Sequence, residues 1–184
     1  AHEGIGELRL LGPALAALTR TGRHLAWIAP PYLPYAPALA AAGIAMEKML
    51  IVRTAQARDA LWAAEQGLRS EACGAVLLWT AVHEMAALKR LQLAAERTHA
   101  LAFLFAPLHL ATRPSPAALR LRLEAAAGGL AVHILKRRGL PLHQPVLIPA
   151  GLASKRSTLP SHALDRPAIS PLAAGNLPAR HAHA

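Results

Sequence analysis

The sequence predicts an α/β fold in which a parallel sheet is flanked by helices. Four short apolar runs of strand length, at residues 24–29, 49–52, 75–79 and 101–105, recur along the first part of the chain. Between them stand longer segments whose Leu and Ala residues repeat every three or four positions, the spacing of one helix face. The run at 75–79 is continuously apolar, as strands covered on both faces are. Strands that alternate with helices are joined by crossovers, and crossovers give parallel pairing.

Residues 7–20 come first. Leu8, Leu11, Leu15 and Leu18 fall on one helix stripe, and Gly12-Pro13 within it should kink or restart the helix. Thr21-Gly22 ends this segment, and residues 24–29 (HLAWIA) read as a buried strand. Pro30, Pro31, Pro34 and Pro37 then stiffen a loop leading into a short helix near 38–42. After the strand at 49–52, Thr54 is the expected N-cap of a helix over 55–69, with Ala57, Leu61, Ala64 and Leu68 inward. The strand at 75–79 (AVLLW) follows. A helix over 83–97 places Leu88, Leu91 and Ala95 inward and Lys89, Arg90 and Glu96 outward, ahead of the last strand, LAFLF at 101–105.

The pattern changes after Arg113. Leu119, Leu121 and Leu123 alternate with Arg120, Arg122 and Glu124, the period of a half-buried antiparallel strand. Gly128-Gly129 makes a turn, and residues 130–136 return as the partner strand. The result is a basic hairpin over about 117–138, with Arg120 and Arg122 on one outward face and Lys136-Arg137-Arg138 at its close. From Pro141 onward Pro, Ser, Ala and His dominate. The expected organisation is one α/β domain over 1–150 and a basic, Pro/Ala/His-rich disordered tail over 151–184.

Composition bounds the function. With 54% hydrophobic residues in 184, the chain has enough apolar surface for a real core. No membrane span is expected: the charge-free stretches 72–83, 98–112 and 139–154 are each shorter than the ~18 residues of a span. A single cysteine, Cys73, cannot form an internal disulfide; it reads as a small core residue in a reduced, cytoplasmic protein. The net charge of +10 is uneven: up to Thr98 there are 10 basic and 8 acidic residues, and from His99 onward 10 basic and 2 acidic. That asymmetry points to an acidic partner for the C-terminal part, DNA among the candidates.

No catalytic motif is complete. A phosphate-binding loop needs Gly-x-x-x-x-Gly-Lys-Ser/Thr, whose lysine meets the terminal phosphates and whose hydroxyl holds magnesium. The corresponding turn here reads Glu3-Gly4-Ile5-Gly6-Glu7-Leu8. Glu7 replaces the lysine and would repel phosphate, and Leu8 replaces the hydroxyl. Arg9 breaks a dinucleotide fingerprint built on Gly4 and Gly6. The strand at 75–79 ends in Trp79-Thr80 where a metal-binding acid would stand. His83-Glu84-Met85-Ala86-Ala87 lacks the second histidine of a zinc helix, and His162, His181 and His183 form no recognisable site. Neither a carboxylate pair nor a serine in a nucleophile setting is present. The reading is no enzyme, no cofactor, no catalytic residue and no metal site. Partner-binding candidates are Trp62, set off the apolar stripe near Glu65, Gln66 and Arg69, and the cations Arg120, Arg122, Lys136, Arg137 and Arg138.

Several blocks together carry a resemblance: PPYLPYAPALAAAGI at 30–44, DALWAAEQGLRSEACGAVLLW at 59–79, LKRLQLAAE at 88–96, and the close of the hairpin, LKRRG at 135–139. Over roughly residues 4–148 the chain resembles the bacterial ImuA family, SulA-like and RecA-related accessory proteins of translesion DNA synthesis. The same blocks resemble the SulA cell-division inhibitors. The resemblance implies a RecA-like sheet, and it implies a non-catalytic adaptor of the SOS response that supports mutagenic DNA repair. Implied partners are an inactive Y-family polymerase homologue, an error-prone replicative-type polymerase and RecA. Members of the family carry more sequence ahead of the glycine-containing turn. The alternative implied by the SulA likeness is an inhibitor that binds the division GTPase FtsZ.

Overall fold

The computed structural model describes residues 5–142 and 144–149. Helix and strand alternate as the periodicity requires: α1 (Glu7–Arg20), β1 (His24–Ile28), α2 (Ala36–Ala41), β2 (Met49–Val52), α3 (Ala57–Arg69), β3 (Cys73–Trp79), α4 (Met85–Thr98) and β4 (Leu101–Phe105). The strands form one parallel sheet in the order β2-β1-β3-β4.

Two helical layers cover this sheet, because alternate strand residues point to opposite faces. On one face Ala26, Ile28, Val76 and Leu78 meet Ala60, Leu61, Ala64 and Leu68 of α3 and Ala87, Leu91 and Ala94 of α4. On the other, Leu25, Trp27, Ala75 and Leu77 meet Leu15 and Ala16 of α1 and Leu39 of α2. β1 and β3 are central, so both of their faces are buried and their sequences are unbroken runs of apolar residues. β2 and β4 are edges, and Leu50, Leu101 and Leu104 stay exposed.

Local departures from the sequence reading have local causes. α1 runs unbroken through Gly12-Pro13. Pro13 and Arg9, whose carbonyl loses its partner, are both exposed, so the orphaned oxygen lies on the solvent side where its cost is small. α2 begins at Ala36, with Pro37 in its first turn, where no N–H is needed. Thr54 is not the N-cap of α3: that helix starts at Ala57 after Gln56, too far on for the Thr54 hydroxyl, and Ala57 is exposed. α4 starts at Met85 because the Val82 N–H bonds the Thr80 hydroxyl (3.1 Å) and holds residues 80–84 as a loop. Its inward face uses Ala94, with Ala95 packed at the margin.

The C-terminal part is larger than the predicted hairpin. β5 (Arg120–Ala126) and β6 (Gly129–Lys136) pair antiparallel, and β7 (Val146–Pro149) adds a third strand beside β6. Four residues ending in proline carry too short a pattern to be read as a strand alone. Leu121 faces Ile134, Leu123 faces Val132 and Ala125 faces Leu130, which gathers the apolar side; Arg122 faces His133 and Glu124 faces Ala131 on the other. Arg120 pairs with Lys136 while Leu121 pairs with Ile134, so Leu135 is the extra residue of a bulge. The tail expected over 151–184 lies outside the described residues. Among those described, no helix is long and apolar enough to cross a membrane.

Candidate docking edge at the carboxyl ends of the parallel strands

In a parallel α/β sheet, ligands meet the loops at the carboxyl ends of the strands, beside the point where the chain reverses its direction of travel. Here the chain steps from β1 out to β2 through α2, then back across to β3 through α3. The reversal falls between β1 and β3, and the loops after them, residues 29–35 and 80–84, frame the crevice.

The residues in that neighbourhood are not arranged for nucleotide chemistry. Gly6 is the N-cap of α1 with φ 107°, a left-handed conformation that glycine adopts freely. Its N–H donates to Glu7 Oε2 at 3.1 Å, so a carboxylate stands on an amide that a phosphate would use. Leu8 packs against the α1-side core. Gly4 lies outside the described residues. At the end of β3, Trp79 stacks on Phe105 (centroids 4.5 Å apart, planes 7° apart) and meets Trp27 at 5.5 Å, filling the place of a metal-binding acid with aromatic surface. His83 is tied to the Pro114 carbonyl by an Nε2 contact of 2.7 Å, and no group of three potential metal ligands exists among the described residues. Cys73 is buried as expected. Burial pushes its thiol above the ordinary range, with the nearby Arg23 guanidinium pulling the other way.

What the crevice does present is an apolar loop. Tyr32, Leu33 and Tyr35 are 71%, 71% and 69% exposed. Burying such side chains in a partner contributes roughly 1.5–3 kcal/mol each. Pro30, Pro31 and Pro34 restrict the backbone between them, so less freedom is lost on docking. The sequence reading took this segment for a stiff loop leading into a short helix and assigned it no site; the available signal was three large apolar residues set between prolines, without a period that would bury them. A second concavity, of about 320 Å³, lies between the first turns of α1 (Gly6, Arg9, Pro13) and the β6–β7 region (Gly129, Ile148).

The predicted cations are placed differently from one another. The Arg120 guanidinium donates to the carbonyls of Leu110 (3.2 Å), Ala111 (2.8 Å) and Arg113 (2.8 Å), closing the 3-10 turn at Leu108–Leu110. Arg122 pairs with Glu124 (3.0 Å), which also meets His133 (3.1 Å). Lys136 donates to the Ser115 carbonyl (2.9 Å), and Arg137 to that of Leu140. Arg138 is exposed and has no such contact among the described residues. Trp62 stands 64% exposed on α3. The structure therefore separates Trp62 from the hairpin cations instead of bringing them into one site.

No protein-family model matches the chain. Over 98 residues it is 34% identical to the cell division inhibitor SulA of Edwardsiella piscicida, a match covering 53% of this chain. The chain spans 58% of that relative's length. A solved structure, SulA from Pseudomonas aeruginosa, aligns with a TM-score of 0.48 and 28% identity over 58% of this chain and 92% of that one. Over about half its length, the chain is SulA-like in sequence.

Proposed function

We propose that this protein is a non-catalytic docking protein of the SOS response, and that it engages a protein partner through Tyr32, Leu33 and Tyr35. The single observation carrying this reading is the rigid, exposed apolar loop at the crevice of the sheet. The Glu7 carboxylate on the Gly6 amide and the aromatic stack at Trp79 support a role without nucleotide turnover. In finer form the protein is an adaptor of translesion synthesis, docking the inactive Y-family polymerase homologue, the error-prone polymerase and RecA in the cytoplasm. That form rests on the ImuA resemblance, which runs through the hairpin to LKRRG. Any contact with DNA draws on Arg138 and the tail cations Lys155, Arg156, Arg166 and Arg180.

A second reading, a division inhibitor that binds FtsZ, is favoured by the 34% identity to SulA. Immobilised full-length protein challenged separately with RecA, the two polymerase components and FtsZ distinguishes the two. The adaptor reading expects RecA or a polymerase component to be retained, with at least a tenfold loss in a Tyr32→Ser, Tyr35→Ser variant. Retention of FtsZ alone transfers the assignment to the inhibitor. ATP turnover that disappears in a Glu7→Ala variant overturns the non-catalytic role.

A further inference from the structure

The face of the molecule formed by α3 and α4 has a composition of its own. Arg90 of α4 reaches across to Glu65 of α3 (3.2 Å), and Arg69 reaches the same carboxylate from one turn further on (2.6 Å). This contact fixes which sides of the two helices face each other. On α3, Arg58 and Arg69 lie on the Glu65 side of Trp62, four residues before it and seven after. On α4, Arg90 and Arg97 lie on the α3 side of Leu93, three residues before it and four after. A shallow groove lined by Arg69, Arg90, Leu93, Ala94 and Arg97 runs between the helices.

Three arginines therefore line this groove, Arg58 stands on the same side of α3 nearer its start, and the carboxylate that Arg69 and Arg90 share, Glu65, is only 13% exposed and already engaged twice. Among the described residues Arg58 and Arg97 have no ion pair or hydrogen bond, and each guanidinium engaged by Glu65 keeps N–H donors that Glu65 does not take. On the two rims stand large apolar side chains in water, Trp62 and Leu93, the latter 57% exposed. Both are outside the core clusters that hold their helices to the sheet.

We infer that this groove is a second docking surface, and that its occupant is an acidic amphipathic protein segment. Its carboxylates pair with Arg69, Arg90 and Arg97, and its apolar side chains cover Trp62 and Leu93. The charge decides the sign of the partner, because guanidinium N–H groups pair with carboxylates, and Glu65 already takes one such contact from each of Arg69 and Arg90. The apolar rims decide its kind. A single-stranded nucleic acid takes successive aromatic platforms along a basic track, whereas here a single indole stands on α3 and a single large aliphatic side chain on α4. A peptide that carries both acids and apolar anchors satisfies both halves. This surface lies on the helical layer opposite α1 and α2, so the protein can hold this segment and a partner on the Tyr32–Leu33–Tyr35 loop together.

The test uses the full-length protein and a fluorescent 18-residue amphipathic peptide, with Glu on one helical face and Leu and Phe on the other. A copy with every Glu replaced by Gln, a 20-nucleotide poly-dT strand and sedimentation of the protein alone complete the set. The inference expects saturable binding of the Glu peptide, at least tenfold weaker binding of the Gln copy, and weakening as salt rises. Arg97→Glu and Trp62→Ala should each reduce affinity at least tenfold while leaving the circular dichroism unchanged, since neither side chain holds the fold. Tyr32→Ser, Tyr35→Ser should bind the Glu peptide as the parent does, which separates this surface from the loop. Equal binding of both peptides, undiminished binding by the two groove variants, preference for poly-dT, or self-association lost in Trp62→Ala would each overturn the assignment.

Discussion

The parallel sheet and the C-terminal antiparallel sheet both sort their residues by alternation, yet they are held in place by different forces. β1 and β3 are covered on both faces, and Leu25, Trp27, Ile28, Ala75 and Leu77 are almost wholly removed from water. In the C-terminal sheet only Leu130 and Val132 reach that state. Its attachment instead uses cations that donate to backbone carbonyls: Arg120 to three of them, and Lys136 to one. The contrast teaches that positive charge in the hairpin is not simply available surface. Part of it is engaged by the carbonyls of neighbouring loops.

The largest expected effect belongs to the core. Trp27→Ala removes the largest fully buried side chain and should lower global stability by about 3–5 kcal/mol in denaturant unfolding. Loss below 1 kcal/mol would mean that the α1-side core is not what holds the sheet. Gly129→Ala tests the other region, because a Cβ there would sit 2.1 Å from the Ile148 carbonyl oxygen and force β7 from β6. A cost of about 1–3 kcal/mol is expected, with amide exchange accelerating in β6 and β7 while β1 and β3 stay protected. Arg120→Met keeps the stem and deletes the three carbonyl contacts. About 1–2 kcal/mol should be lost, and residues 108–114 should exchange faster. Uniform acceleration across the parallel sheet would merge the two regions into one cooperative unit.

Smaller effects refine the comparison. The raised Cys73 thiol contributes stability that is complete below its ordinary value of 9.0 and is lost as pH climbs through the higher folded value, since the unfolded chain ionises first. Alkylation of native protein at pH 8 should be much slower than of unfolded protein, and equal rates would place Cys73 outside the core. Glu124→Gln should change stability by no more than about 0.5 kcal/mol, because its partners Arg122 and His133 are partly in water. A larger loss would show that the outer face of the hairpin carries structural weight after all.

Much of the fold was legible because it depends on local periodicity. The residues of β2 and β4 were bounded correctly, and three of the four inward positions assigned to α3 are buried. The failures occur where a single side chain was asked to set a boundary. Thr54 offered a cap, but the helix started later; Pro13 offered a break, but the Arg9 carbonyl it leaves free lies on the solvent side. β7 was missed because a four-residue run acquires its pairing only when β6 is already beside it.

The candidate sites were less legible for a related reason. A cation's residue type predicts charge, but the carbonyls that receive Arg120 lie seven to ten residues earlier and come near only when the chain turns at 108–110. Likewise Tyr32, Leu33 and Tyr35 look like a loop in sequence, and their exposure beside the β1–β3 reversal is a property of the strand order.

By itself the sequence determined the alternating helices and strands, the continuously apolar central strand, the two sides of the hairpin and the poor fit of Glu7 and Leu8 to a phosphate loop. All of these follow from side-chain periodicity and charge along a single segment. The tertiary structure alone decided the order β2-β1-β3-β4, the third antiparallel strand, the arginines that hold their own loops and the groove where α3 meets α4. Those features join residues far apart in the chain, and their energies appear only once packing has already brought the partners within reach.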